Sequence, residues 1–135
     1  MSSPQVLFPV FLVVTVLLLG AVVATGVKGR VRPHLTFVVI TVASLLTTIY
    51  FAEQLGELYD LKAAGRITPI HLTLAKLATV AYLGPTVTGW LTLRNRQHKS
   101  LHFRLAMVTL GLTIAAAITG TWMILVAEPL ATTPS

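Results

Sequence analysis

Four long apolar runs, separated by short polar stretches, dominate the pattern of residues along the chain. The runs cover residues 6–27, 34–55, 69–93 and 101–127. Each is long enough for a helix of about 20 residues, the length that crosses the hydrocarbon core of a bilayer. Because every backbone polar group needs an internal partner in lipid, the pattern predicts an all-α protein, an integral membrane four-helix bundle. We expect one transmembrane domain over residues 1–135, with its helices running up-down-up-down.

Lysine and arginine are distributed unevenly between the predicted loops. The connections that follow the first and third spans carry seven of the ten, the second loop carries Lys62 and Arg66, and Lys76 lies inside the third span. Positive charge in short loops marks the cytoplasmic side of a membrane. The distribution therefore predicts a multi-pass protein of the cell (inner) membrane with both termini outside. Since the start of the chain lacks a basic n-region, we expect the first run to be a retained span.

Composition supports this class of protein and excludes others. The chain is 55% hydrophobic and 10% charged, with a mean hydropathy of +0.83, whereas soluble domains carry about 25% charged residues. The absence of cysteine excludes disulfides, thiolate metal sites and covalent haem attachment. The net charge of +6 lies mostly in the loops and sets orientation, so we expect a lipid bilayer and no nucleic acid as partner. No hydrolytic motif is present, which favours electron transfer or assembly over hydrolysis and leaves enzymatic activity open.

Glycine and proline mark two of the predicted helices. Gly84-Pro85 lies near the middle of the third span, where proline removes a backbone hydrogen bond and predicts a kink. The fourth span holds two pairs of small residues four apart, Gly111/Ala115 and Ala116/Gly120. Such pairs let helix backbones approach closely. We interpret these features as helix packing, and no internal repeat is evident from the sequence.

Histidines at helix ends are the candidate ligands. His34 opens the second span and His102 the fourth; because these helices run in the same direction, the two imidazoles are expected at equal depth near the cytoplasmic end. Such a pair is suited to the axial ligands of haem b. Four arginines are candidates to bind the haem propionates: Arg30, Arg32, Arg96 and Arg104. Alternatively, His34, His98 and His102 form a copper or zinc site, or the histidines simply lie in the polar interface.

A buried charge is the second unusual feature. Lys76 lies about 10 Å along its helix from the predicted outer end, where insertion of a lysine costs about 2.5–3.5 kcal/mol. Glu53 is expected at a comparable depth on the antiparallel second helix. An ion pair between Lys76 and Glu53 inside the bundle would offset this cost. The alternative is that Lys76 extends its ammonium group to the outer interface.

The fourth span also carries a family resemblance. His102, Thr109 seven residues later and Thr119-Gly120 near the outer end resemble the pattern of the YozB/CtaM-like family of small four-helix membrane proteins. The basic run 28–32 followed by His34 fits the same pattern. The resemblance covers roughly residues 28–124 and implies a link to haem–copper oxidase biogenesis. Where that family usually has a third-helix histidine this chain has Lys76, so the resemblance supports the inner pair of histidines and implies no role for His71.

Three functions follow from these observations. The first is a respiratory-chain accessory or assembly protein that binds haem or copper through histidines at the cytoplasmic helix ends, with a haem–copper oxidase or another respiratory complex as partner. The second is a b-type cytochrome with bis-histidine haem that transfers electrons between quinol and a partner complex. The third is a cofactor-free structural subunit of a larger membrane complex.

Overall fold

The computed structural model describes residues 3–130, and these are mostly helical. Residues 1–2 and 131–135 of the predicted domain lie outside the described residues. The prediction of an all-α protein is confirmed. The elements are α1 Pro4–Val27, α2 Val31–Gly56, β1 Tyr59–Asp60, α3 Ile67–Ala81, α4 Leu83–Arg94, a single 3-10 turn Arg96–His98, α5 Lys99–Val126 and β2 Glu128–Pro129, with β1 and β2 paired.

The described chain divides into two compact units. The first unit contains α1 and α2, and the second contains α3, α4 and α5. The expectation of one domain stays a prediction, as do the bundle, its up-down order and the outer location of the termini.

In the first unit, α1 and α2 form an antiparallel hairpin. Their turn is three residues long and includes Gly29, whose φ of 68° is the left-handed conformation that glycine adopts without steric cost. Contacts then run in opposite directions along the two helices. The Thr15 hydroxyl on α1 hydrogen bonds to Ser44 at 2.7 Å and to Thr48 at 2.9 Å on α2, and nearer the other end the rings of Phe11 and Phe51 stack 5.6 Å apart.

In the second unit, α3 and α4 together form the predicted third span and pack antiparallel to α5. The helix is interrupted at Tyr82, three residues before Pro85. Pro85 has no amide proton to donate to the Ala81 carbonyl one turn earlier. The Thr109 hydroxyl of α5 lies 3.0 Å from that carbonyl and 2.8 Å from the Leu105 carbonyl of its own helix, so its one proton is shared between the two acceptors. A threonine on the partner helix thus partly compensates the carbonyl that the proline leaves without its backbone donor, as threonine side chains do beside prolines in membrane helices.

The polarity of the two units is the reverse of a soluble protein. Their buried polar residues are small hydroxyl-bearing ones, whereas large apolar side chains are exposed, including Leu125 at 78% and Val39 at 70%. Small residues at helix interfaces and apolar residues on the outside are typical of membrane helices. Three helical stretches are long and apolar enough to cross a membrane, namely Pro4–Val27, Val31–Gly56 and Arg96–Val126. The interruption at Tyr82 divides the predicted third span between two shorter helices, of 15 and 12 residues.

Candidate imidazole sites

Three histidines share one structural arrangement, in which the imidazole lies against a Thr-Gly pair on the neighbouring helix. The chain contains three Thr-Gly pairs, and each receives one histidine. In all three cases the threonine hydroxyl contacts Nδ1 of the ring, and the glycine leaves room for its Cε1 edge. We call these the His34, His71 and His102 sites.

The His34 site lies at the turn end of the first unit. His34 is in the first turn of α2, and its Nδ1 donates to the Val22 carbonyl of α1 at 2.9 Å, with the Thr25 hydroxyl 3.4 Å away. A Cβ atom on Gly26 would lie 3.0 Å from Cε1 of the ring, which is closer than carbon atoms pack. Glycine is therefore what allows the imidazole to rest on the α1 backbone.

The His102 site repeats this geometry in the second unit. His102 lies in the first turn of α5, and its Nδ1 is 3.2 Å from the hydroxyl of Thr88, which is buried on α4. A Cβ atom on Gly89 would lie 3.2 Å from Cε1 of the ring. The side chain is partly buried, so the imidazole is enclosed between α4 and α5 rather than extended from the helix end.

The His71 site lies at the other end of the second unit. His71 is the fifth residue of α3, half-buried, and its Nδ1 is 3.2 Å from the hydroxyl of Thr119 on α5. The ring also hydrogen bonds to the backbone of Ala116. A Cβ atom on Gly120 would come within 2.7 Å of Cε1, the tightest of the three contacts. Relative to the Thr-Gly pair, Ala116 occupies the same position as Val22 does at the His34 site.

These hydrogen bonds fix which nitrogen carries the proton. A carbonyl can only accept, so Nδ1 of His34 donates to Val22. At the other two sites the threonine hydroxyl gives its single proton to its own helix, Thr88 to Gly84 at 2.7 Å and Thr119 to Ala115 at 2.8 Å. The hydroxyl must then accept from the imidazole. Each neutral ring therefore has its proton on Nδ1 and its lone pair on Nε2, the tautomer of a metal-ligating histidine whose other nitrogen is held by a protein acceptor.

The other predicted site residues do not share the packing of the three imidazoles against Thr-Gly pairs. The four arginines near the histidines are all exposed: Arg30, Arg32, Arg96 and Arg104. His98 lies in the 3-10 turn just before α5 and is partly buried. Within residues 3–130 no group of three or more histidine, aspartate or glutamate side chains is placed to hold a metal ion. The three-histidine copper site with His34 and His102 stays a prediction.

The predicted charge pair is outside the interior of either unit. Lys76 on α3 and Glu53 on α2 are both exposed, and they belong to different units. Their ion pair stays a prediction.

The sequence contains a repeated signal for two of these sites. Both units follow the same order: a Thr-Gly pair, then a histidine in the first turn of the next helix, then a buried threonine seven residues later, Thr41 or Thr109. The third Thr-Gly pair, at residues 119 and 120, is the sequence signal for the His71 site. The repeat is easy to miss because the spacing from Thr-Gly to histidine differs between the units.

Comparisons with protein-family models, with curated proteins and with solved structures find no match to this chain.

Proposed function

We propose that this protein is an integral membrane accessory or assembly protein of the respiratory chain that binds haem through His34 and His102. The observation that carries the proposal is the anchoring of both imidazoles through Nδ1, His34 to the Val22 carbonyl and His102 to the Thr88 hydroxyl, which is how histidines that ligate a metal are held by their second nitrogen. The respiratory role rests on the resemblance to the YozB/CtaM-like family. A partner haem–copper oxidase and a location in the cell membrane belong to the same proposal.

The residues present fit a haem better than a structural zinc ion. Haem brings four of its own ligand atoms and needs only one or two from the protein, whereas a structural zinc site needs four protein ligands. His34 and His102 are each anchored through Nδ1 in the first turn of a helix, and exposed arginines lie close to each in sequence, Arg32 and Arg104 among them. Bound haem would supply a one-electron couple. The chain's contribution is to hold the imidazoles in one tautomer and one orientation.

Anchoring through Nδ1 gives the threonine hydroxyls a role in haem binding. A hydrogen bond on the second nitrogen of a ligating histidine orients the ring and raises its basicity, and loss of such a partner typically costs 10–100-fold in affinity. Thr88→Val at the His102 site removes this partner while keeping the side-chain shape. We expect it to weaken haem binding by about 10-fold or more. Thr92→Val is the matched control, since Thr92 lies one turn further along α4 and donates to the Thr88 carbonyl.

The direct test is an optical spectrum of the detergent-purified protein, oxidised and dithionite-reduced, with a pyridine haemochrome assay and metal analysis on the same sample. We expect a reducible haem band that is lost in both His34→Ala and His102→Ala and retained in His98→Ala. A colourless protein with copper that depends on His98 would support the three-histidine alternative. A protein without haem or metal, expressed with ample supply of both, would refute the proposal and favour a structural subunit.

A haem-transfer experiment separates the accessory role from that of a cytochrome. A b-type cytochrome with bis-histidine haem holds its haem permanently and gives a low-spin spectrum that is reversible on reduction and oxidation. A haem-handling protein releases its haem to an acceptor. Mixing the purified, haem-loaded protein with haem-free myoglobin and following the transfer of the band would distinguish the two, because retention indicates the cytochrome and rapid transfer the accessory role.

A further inference from the structure

The His71 site is not accounted for by the function proposed above. It has the same components as the other two sites: an Nδ1-anchored imidazole, a threonine acceptor and a glycine under the ring. It lies on α3 and α5, both in the second unit. The sequence resemblance assigns it no role.

Distance separates this site from the one at His102. The Thr-Gly partner of His71 lies at residues 119 and 120 of α5, whereas His102 is in the first turn of the same helix. Seventeen residues of α-helix span about 25 Å. One iron atom bonds two imidazoles only if they lie a few ångströms apart, so His71 and His102 cannot ligate the same metal.

A purely structural role explains the hydrogen bond but not the whole arrangement. Many threonines of this chain satisfy their hydroxyls on their own helix, and Thr119 does so on both Ala115 and Ala116. It would need no histidine to be satisfied. Replacement of His71 by an apolar residue would leave no polar group of Thr119 unpaired. The imidazole can pack here only because residue 120 is glycine, which helix propensity disfavours inside α5.

We propose that His71 ligates a second haem, through Nε2, at the end of the second unit opposite His102. This inference rests on the proposed function, because it takes haem as the ligand of the equivalent sites. Within the second unit, His71 is the histidine at this end of α5, whereas His98 and His102 lie at the opposite end. The second haem therefore takes a single histidine from the second unit, and its spectrum and potential differ from those of a bis-histidine haem.

The test counts haems in the full chain and its variants. Protein expressed with excess haem is purified, its haem per chain is measured by pyridine haemochrome, and a redox titration resolves the components. We expect two haems with two potentials in the unaltered protein and loss of one component in His71→Ala. Added imidazole should restore that component, because it occupies the space of the missing ring. Restoration also shows that the variant is folded.

A matched pair of threonine variants tests the anchoring. Thr119→Val removes the Nδ1 acceptor of His71, whereas Thr121→Val, two residues on, removes a hydroxyl that donates only to its own helix at Ala117. We expect the first to shift the potential of the His71 component or reduce its occupancy about 10-fold, and the second to change neither.

The outcomes separate this inference from the proposed function. If His71→Ala keeps the haem content and potentials of the unaltered protein while His34→Ala and His102→Ala lose haem, the second site is wrong and the proposed function stands. If His71→Ala loses haem while His34→Ala and His102→Ala keep it, the site at His71 stands and the proposed ligands His34 and His102 are wrong. Absence of haem from the unaltered protein overturns both.

Discussion

Substitution of Gly120 by alanine gives the sharpest test of the Thr-Gly and imidazole packing. The added Cβ would lie 2.7 Å from Cε1 of His71, whereas carbon atoms pack at about 3.5 Å or more. The ring must therefore move by about 0.8 Å. A movement of that size away from α5 would break the hydrogen bond from Nδ1 to Thr119, which is already 3.2 Å long.

Two opposing terms determine the free energy of unfolding. Forcing an extra methyl group into a packed interface costs about 1–3 kcal/mol, and alanine gains up to about 1 kcal/mol over glycine in a helix. We expect Gly120→Ala to destabilise the protein by up to about 2 kcal/mol. Gly111→Ala on the same helix is the control. No atom lies within 4 Å of a Cβ at position 111, so this substitution should change stability only through the higher helix propensity of alanine.

A double-mutant cycle isolates the clash. In a His71→Ala background the ring is absent, and the alanine at position 120 should be neutral or stabilising, as at position 111. The helix-propensity term cancels in the cycle because the same alanine is introduced in both backgrounds. We expect a coupling energy of about 0.5–3 kcal/mol, the range for residues in contact. The assay is reversible unfolding in mixed micelles of mild detergent and dodecyl sulfate, followed by circular dichroism.

One result would refute this reasoning. If Gly120→Ala and Gly111→Ala change the free energy of unfolding equally, and the coupling to His71 is near zero, the imidazole does not pack on Gly120. The His71 site would then lose its structural basis, whatever haem the protein binds.

Two other properties are open to test. Thr15→Val should destabilise the first unit by about 0.6–1.7 kcal/mol, since it removes a buried hydroxyl that contacts Ser44 on the facing helix; Thr47→Val, which loses only an exposed bond to its own helix, should change the free energy of unfolding little. The absence of cysteine makes the chain a ready background for labelling: Lys62→Cys should react with an impermeant maleimide from outside intact cells and Gln97→Cys only after permeabilisation, and equal reactivity would contradict the predicted orientation.

The sequence alone determined the helices of this protein. Apolar runs of more than 20 residues predict helices, because in lipid each backbone polar group must find its partner within the segment. The predicted limits 6–27 and 34–55 differ from those of α1 and α2 by no more than three residues. Pro85 likewise predicted a distortion of the third span, because the missing amide proton is a local property of the chain. The structure added its compensation by Thr109, which is 24 residues away and on another helix.

The sequence indicated which histidines are candidate ligands, but only the tertiary structure decided how they are held. His34 and His102 were predicted from their place at helix starts. That their Nδ1 atoms face threonines and a carbonyl on the preceding helix depends on helix rotation and axial offset, which a single sequence does not encode at this precision. For His71, helix position alone indicated no role as a ligand, and its contact with Thr119 joins residues 48 positions apart. Local propensity determines helices, whereas the environment of a side chain depends on which faces of those helices meet.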